Sequence, residues 1–410
     1  MAGLVKHYQN TMKNIPQLSN AWGSMINLLD AVLVNGFNHV PVISVSKSTP
    51  TAITATIHLG SGHGFIDRQV VRIAGSTNGW DGDYKVLSAD SASILVECLP
   101  EQPSVSNGTA TCFTAPLDFE IVHQTPAEST TPKRAYRSTD PESLGLILLV
   151  HDFCVSGAAA TGAKFAKVGV VSDMADIDTI TGNQMPFDSK NPDANWGWDG
   201  AYHGEVKWYY RVLDESWSMD SKNVTNGNTD FLICGNSVGF VYEYATPTTR
   251  NCYGFLEFFD HSFSSKNVIL LAHGVQGKYS QATELYREAR SGISYLDIAS
   301  NTVYGANNSN LKGLLWYDVN GIYGQVKAGR PLYITSGTFG IAGLALADQM
   351  FYDFIVLNGS KPVGVLPFIK GIINPVNSQG VDTKVGKYVS RYSVKDNNLY
   401  IKYGLTLESE

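Results

Sequence analysis

Charge is scarce in this chain, with Asp, Glu, Lys and Arg making up 16% of its 410 residues. The lysines and arginines nowhere form a block, and the formal net charge is −7, so a phosphate-tracking basic stripe has no basis and nucleic acid is not an expected partner. Cysteines are few, at positions 98, 112, 154, 234 and 252. Their number is odd and no CxxC pair stands beside histidines at ligand spacing, which excludes a zinc module and leaves small buried thiols as the expected role. Cys98 and Cys112 could face each other across neighbouring strands, though spacing does not fix disulfide geometry. Long apolar runs are also missing. The strongest, Leu144 to Val150, is far too short to span a bilayer, and Met1 to His7 lack the apolar core of a signal peptide. No membrane insertion is expected, and synthesis in a cytoplasm is.

Glycine is plentiful, at 39 residues, and short runs of alternating apolar residues recur along the chain. This balance predicts a mainly β protein with many turns. Residues 19–38 are the clearest exception. There Trp22, Met25, Ile26, Leu29 and Leu33 recur at helical spacing, with Ser19 or Asn20 as N-cap and Gly36 as stop, giving an amphipathic helix whose apolar face must be covered.

The expected organisation has four parts: residues 1–38, an attachment segment carrying that helix; 39–123, a small β-barrel or sandwich; 124–143, a Pro/Ser/Thr-rich solvated linker; and 144–410, a larger β-sandwich-like domain of one or two units. The first β module is read from six short runs, ending in ATCFTAPLDFEIVH, separated by turns such as Ser61-Gly62-His63-Gly64 and Asn78-Gly79-Trp80-Asp81. In the last part strands greatly outnumber helical patterns, which are limited to 279–290 and 341–350.

No catalytic constellation assembles. Gly157, Gly162 and Lys164 follow a strand in the manner of a phosphate-binding loop, but Ala163 separates the second glycine from the lysine and a strand-like run follows where a helix is required. His151 and Asp152 are adjacent on a strand, so their side chains leave opposite faces and cannot form a relay. Glu257 and Asp260 flank two phenylalanines on a strand and are expected to face solvent. The richest segment is 188–217, with Trp196, Trp198, Trp208 and Trp217 beside Asp193, Asp199 and His203. Aromatic rings beside carboxylates suit sugar stacking, and the same residues suit core or subunit packing; Asp193, Asp199 and His203 are a third, metal-binding option. No cofactor or metal is expected, and an enzyme is not the leading reading.

The runs KHYQNTMKNIPQLSNAWGSMINLLDAVLVNGFN, GSGHGFIDRQVVRIAGSTNGWDGDYKVLSAD and YRSTDPESLGLILLVHDF resemble virion structural proteins of tailed bacteriophages. The likeness spans the first half of the chain, with GVLPFIKGI the looser match beyond it. It implies a structural component of the tail, baseplate or fibre, located in the virion, whose partners are other virion proteins and copies of itself. It implies no active-site residues. On this reading Trp22, Met25, Ile26 and Leu29 are assembly contacts. Two alternatives stand beside it: a host-recognition adhesin binding cell-surface glycan through the tryptophans, and a glycan hydrolase or depolymerase.

Overall fold

The computed structural model describes residues 4–106, 108–153, 164–187, 192–193, 195–197, 206–211, 224, 226–245, 250–274, 312–316, 324–329, 350–358, 361–373, 383–385, 388–395 and 398–408. The helical pattern at 279–290 lies outside them, as does that at 341–350 except for Met350, which opens the strand Met350–Asn358.

The chain is mainly β, and its paired strands are antiparallel. A 12-stranded sheet starts with the edge strand Lys6–Gln9, passes through Asp230–Asn236, Gly239–Ala245, Arg250–Asp260 and Ser265–Leu271, and ends in C-terminal hairpins at Thr383–Val385. A second sheet runs His273–Gly274, Val206–Arg211, Lys164–Val171, Ile147–His151, Lys133–Ser138, Phe119–Gln124. Alternating side chains of both sheets meet in one apolar layer, in which Phe240, Tyr242, Phe255 and Leu270 face Tyr136, Leu148, Val168 and Trp208. This is sandwich packing. On the other side of the large sheet, Val363, Leu366, Ile369 and Leu405 from its own C-terminal strands cover Leu256, Phe258 and Ile269. The apolar segment at 364–373 thus packs as a strand, Lys361–Ile373, with His261 N–H donating to Val363 O at 2.7 Å.

A third sheet, between the edge strands Phe37–Pro41 and Ser44–Ser46, carries a separate core of Val71, Ile73, Trp80, Val86, Val96 and Cys112. Its path is open, so the small module is sandwich-like and not a closed barrel. It enters and leaves on neighbouring strands, Phe37 lying opposite Thr114. Gly36, at φ 69°, makes that entry: a Cβ there would sit 2.5 Å from both the Phe113 ring and Thr114 O. The module has seven strands where the sequence suggests six runs, and it ends before the close of the last run. Leu117 N–H donates to Val32 O, Asp118 adopts φ 63°, and Phe119–Gln124 pairs instead with Lys133–Ser138 in the second sheet.

That pairing corrects the linker at 124–143. Lys133–Ser138 lies inside the second sheet, between Phe119–Gln124 and Ile147–His151, with Ala135 and Tyr136 fully buried. Its polar composition misleads because its charges are kept at the rim or paired, Arg137 on exposed Glu120 at 2.7 Å and Arg134 on the largely buried Asp30 at 3.1 Å.

The helix is also not an appendage. It comprises Ser24–Leu29, entered through Gly23, and continues as a π-helical turn, Asp30–Asn35, ending at Gly36. Met25, Ile26, Leu28 and Leu29 are at most 1% exposed and belong to the main sandwich core. Among the described residues no helix is long and apolar enough to cross a membrane.

Candidate functional site

The end of the strand Ile147–His151 is where the chemistry concentrates. Asp152 follows that strand, is completely buried, and supplies the missing helix cap from 127 residues away: its Oδ2 accepts Met25 N–H at 2.8 Å and Ile26 N–H at 3.3 Å. Its Oδ1 accepts the Tyr210 hydroxyl at 2.6 Å, and its backbone carbonyl accepts Gly23 N–H at 3.1 Å. Burial pushes its carboxyl up to about 6, against the lowering effect of these hydrogen bonds. One turn on, Asp30 accepts the Tyr136 hydroxyl at 2.6 Å, and burial raises its carboxyl despite Tyr136 and Arg134. Two carboxylates therefore bolt the helix to the second sheet.

The opposite face of the same strand end is basic. Strand register places Lys133 beside His151, His151 beside Lys167, Lys167 beside Lys207, and Lys207 beside His273. Like charges directly opposite one another are unfavourable. Aromatic rings and one carbonyl offset this. Lys133 and Lys167 Nζ lie 5.6 and 5.2 Å from the Phe153 centroid, Lys207 Nζ lies 4.7 Å from that of Phe165, and Lys167 donates to Trp196 O at 2.7 Å. Lys133 also pairs with Asp178. His151 is 7% exposed, between Trp196 at 4.5 Å and Phe153 at 5.8 Å, and its Nε2 has no hydrogen-bond partner among the described residues. Burial, then Lys167 and Lys133, hold its pKa well below the usual imidazole value.

Trp196 is part of this packing and is partly buried. Its indole N–H donates to Gln184 Oε1 at 3.1 Å, and its ring lies on Gly169, where a Cβ would meet it at 2.9 Å. Beside it, Asn195 joins two strands, donating to Val168 O and accepting Val206 N–H, both at 2.8 Å. Replacing Gly169 with valine should therefore cost about 1–3 kcal/mol, read as a lower urea midpoint with a changed Trp196 environment. Trp208 is fully buried and donates to Leu271 O at 2.8 Å. Trp198, Trp217, Asp199 and His203 lie outside the described residues, while Asp193 is exposed.

The other sequence candidates are also placed. Met25, Ile26 and Leu29 are core residues, so the expectation that they contact another protein is corrected: their face is covered by the chain's own sheets. Trp22 is partly buried, edge-on to Phe165 at 5.2 Å and beneath Lys164 Nζ at 4.8 Å. Lys164 opens a strand, as the non-phosphate reading requires; Gly157 and Gly162 lie outside the described residues. Glu257 and Asp260 do not face solvent, contrary to expectation. Glu257 Oε1 accepts the Ser143 hydroxyl at 2.5 Å and Leu144 N–H at 2.9 Å, and Asp260 accepts Ser262 N–H at 2.9 Å. Cys98, Cys112, Cys234 and Cys252 form no disulfide. Burial pushes the Cys112 thiol up to about 12.

Sequence reasoning missed an ion network between the N-terminal strand and the small module. Lys6 Nζ lies 2.6 Å from Asp83 and 3.4 Å from Asp118, and Arg72 bridges the same two carboxylates at 2.5 and 2.7 Å. It walls a cleft of ≈ 510 Å³ that Asp140 and Glu142 also line. Burial would raise the Asp118 carboxyl, but Arg72 and Lys6 outweigh it and hold it below the usual range. No motif marks these residues; only the fold joins them. Among the described residues no group of three or more His, Cys, Asp or Glu is placed to hold a metal ion.

No family model and no curated protein matches the chain. Among solved structures it is similar to a phage phi92 endosialidase, with 11% sequence identity, alignment over 88% of this chain and 56% of that chain, and a TM-score of 0.14. A score this low carries no argument about fold or activity.

Proposed function

We propose that this chain is a structural component of a tailed-phage virion, in the tail, baseplate or fibre region, acting through contacts with other virion proteins and with copies of itself. The observation that supports it most directly is the distribution of exposed apolar side chains. Ile43, Ile53, Leu99 and Val105 are 68, 67, 59 and 55% exposed, and all four lie on the small module. Three of them gather at one end. Ile53 O accepts Cys98 N–H beside Leu99, Val105 pairs with Ser46, and Lys47 Nζ ties the turn together through Leu99 O, Pro100 O and Gln102 O. Apolar side chains grouped at the surface are what a protein interface uses. The sequence resemblance adds independent support. On this proposal the assembly surface lies on the module and not on the helix.

The test is the double variant Ile53→Asp, Leu99→Asp. Its urea midpoint should match wild type, because neither side chain contributes to a core, while its incorporation into particles should fall at least about tenfold, the equivalent of ~1.4 kcal/mol of lost contact. Normal incorporation would refute this surface. The glycan-binding alternative draws no support from Trp196 or Trp208.

A further inference from the structure

We propose that the end of the strand Ile147–His151 is an acid-sensitive latch that loosens the Trp196 turn from the second sheet while leaving the N-terminal helix docked. The device follows from two neighbouring residues that point to opposite faces of one strand end and hold different elements. His151 faces the turn containing Asn195 and Trp196; Asp152 faces the helix Ser24–Leu29.

The charged groups around each residue fix the direction. Lys133 flanks His151 from one neighbouring strand and Lys167 from the other, and Lys133 is paired with Asp178. The turn presents the Trp196 ring, and Asp193, its carboxylate, is exposed. Protonated His151 would be a fourth positive charge in the row of Lys133, Lys167 and Lys207. An open turn lets water hydrate that charge, so His151 binds a proton more readily when the turn is open. The stability held by neutral His151 is present above the ordinary imidazole range of about 6.5 and is lost as pH falls below it.

Asp152 responds in the opposite sense. The helix presents backbone N–H groups to it, Val206–Arg211 presents Tyr210, and Tyr136 and Tyr242 lie close enough to sense its charge. Its carboxyl is raised, so proton uptake favours the docked state, and this stability is lost as pH rises through about 6. A partner for the added proton is already in place. Tyr210 Oη lies 2.6 Å from Asp152 Oδ1 and 3.2 Å from Ala21 O. Once protonated, Asp152 donates to Tyr210 Oη, Tyr210 turns its own proton to Ala21 O, and Oδ2 still accepts from Met25 and Ile26. Acid thus frees one face and spares the other.

The experiment is residue-resolved hydrogen exchange on the full chain between pH 7.5 and 4.5, corrected for intrinsic rates. The Val206 amide reports the turn, because Asn195 Oδ1 is its acceptor; the Met25 and Ile26 amides report the helix. Exchange at Val206 should rise up to about tenfold for each unit by which His151 is held below its ordinary pKa, with no rise at Met25 and Ile26. His151→Gln should abolish the rise. Lys133→Met, which removes one of the two flanking charges, should reduce it. Absence of a rise in wild type, a rise shared by the helix amides, or an undiminished rise in His151→Gln would overturn the proposal. Should His151→Gln fail to fold, an undiminished rise in Lys133→Met would do the same.

Discussion

Leu29→Asp is expected to unfold the sandwich and not merely to spoil a contact surface. Leu29 is fully buried in the main core, which the helix shares with side chains of both sheets. Removing the leucine leaves a cavity worth about 2–5 kcal/mol, and a carboxylate without a partner adds several more. The sum, about 5 kcal/mol or more, is comparable to the whole stability of an ordinary domain. Circular dichroism and urea titration should find loss of the cooperative transition. Trp22→Ala, at a partly buried site against Phe165, should lower the midpoint while preserving the transition. A folded Leu29→Asp protein that fails only in assembly would restore the attachment reading.

The second large effect is at Asp152. Asp152→Ala leaves the Met25 and Ile26 amides without an acceptor and deprives Tyr210 of its closer partner, a loss of about 3 kcal/mol or more. Asp152→Asn should retain most of the stability, because its carbonyl accepts from the helix and its amide donates to Tyr210 Oη. The pair should also differ from wild type in pH response. Wild type carries a stabilising contribution from protonated Asp152 that declines as pH rises through about 6, and the asparagine variant has none to lose. Urea midpoints measured from pH 4 to 7 would read both effects. Equal midpoints for Asp152→Ala and wild type would show that the helix is held by packing alone.

These residues show what the sequence made legible. The alternating runs identified most strands of the described residues, and the apolar spacing of Met25, Ile26 and Leu29 correctly required a cover. Which surface provides that cover is a tertiary fact: the buried faces of Tyr136, Leu148 and Phe165 belong to distant runs. The cap was equally hidden, since Ser19 and Asn20 are the local candidates and Asp152 does the work. Lys133–Ser138 was misread because strand pairing on both sides can hold a polar run whose long side chains reach the rim. The basic row was invisible for a different reason. Lys133, His151, Lys167 and Lys207 have no common spacing and align only through the register of four strands. Trp196 and Trp208 show the converse, because their composition suits a sugar platform while Gly169 and Leu271 draw their rings and N–H groups inward.

Phe37 faces Thr114, and the ion network at Lys6, Arg72, Asp83 and Asp118 sits beside that junction. To the body of the chain, everything between those two residues amounts to one closed loop with its own core. Such a cassette can be lengthened, exchanged or recoded at its far end without re-registering a strand of the sandwich that carries it. The module and the sandwich can then diverge at different rates within a single polypeptide, with two adjacent strands and the contacts of Lys6 with Asp83 and of Glu408 with Lys85 as the seam.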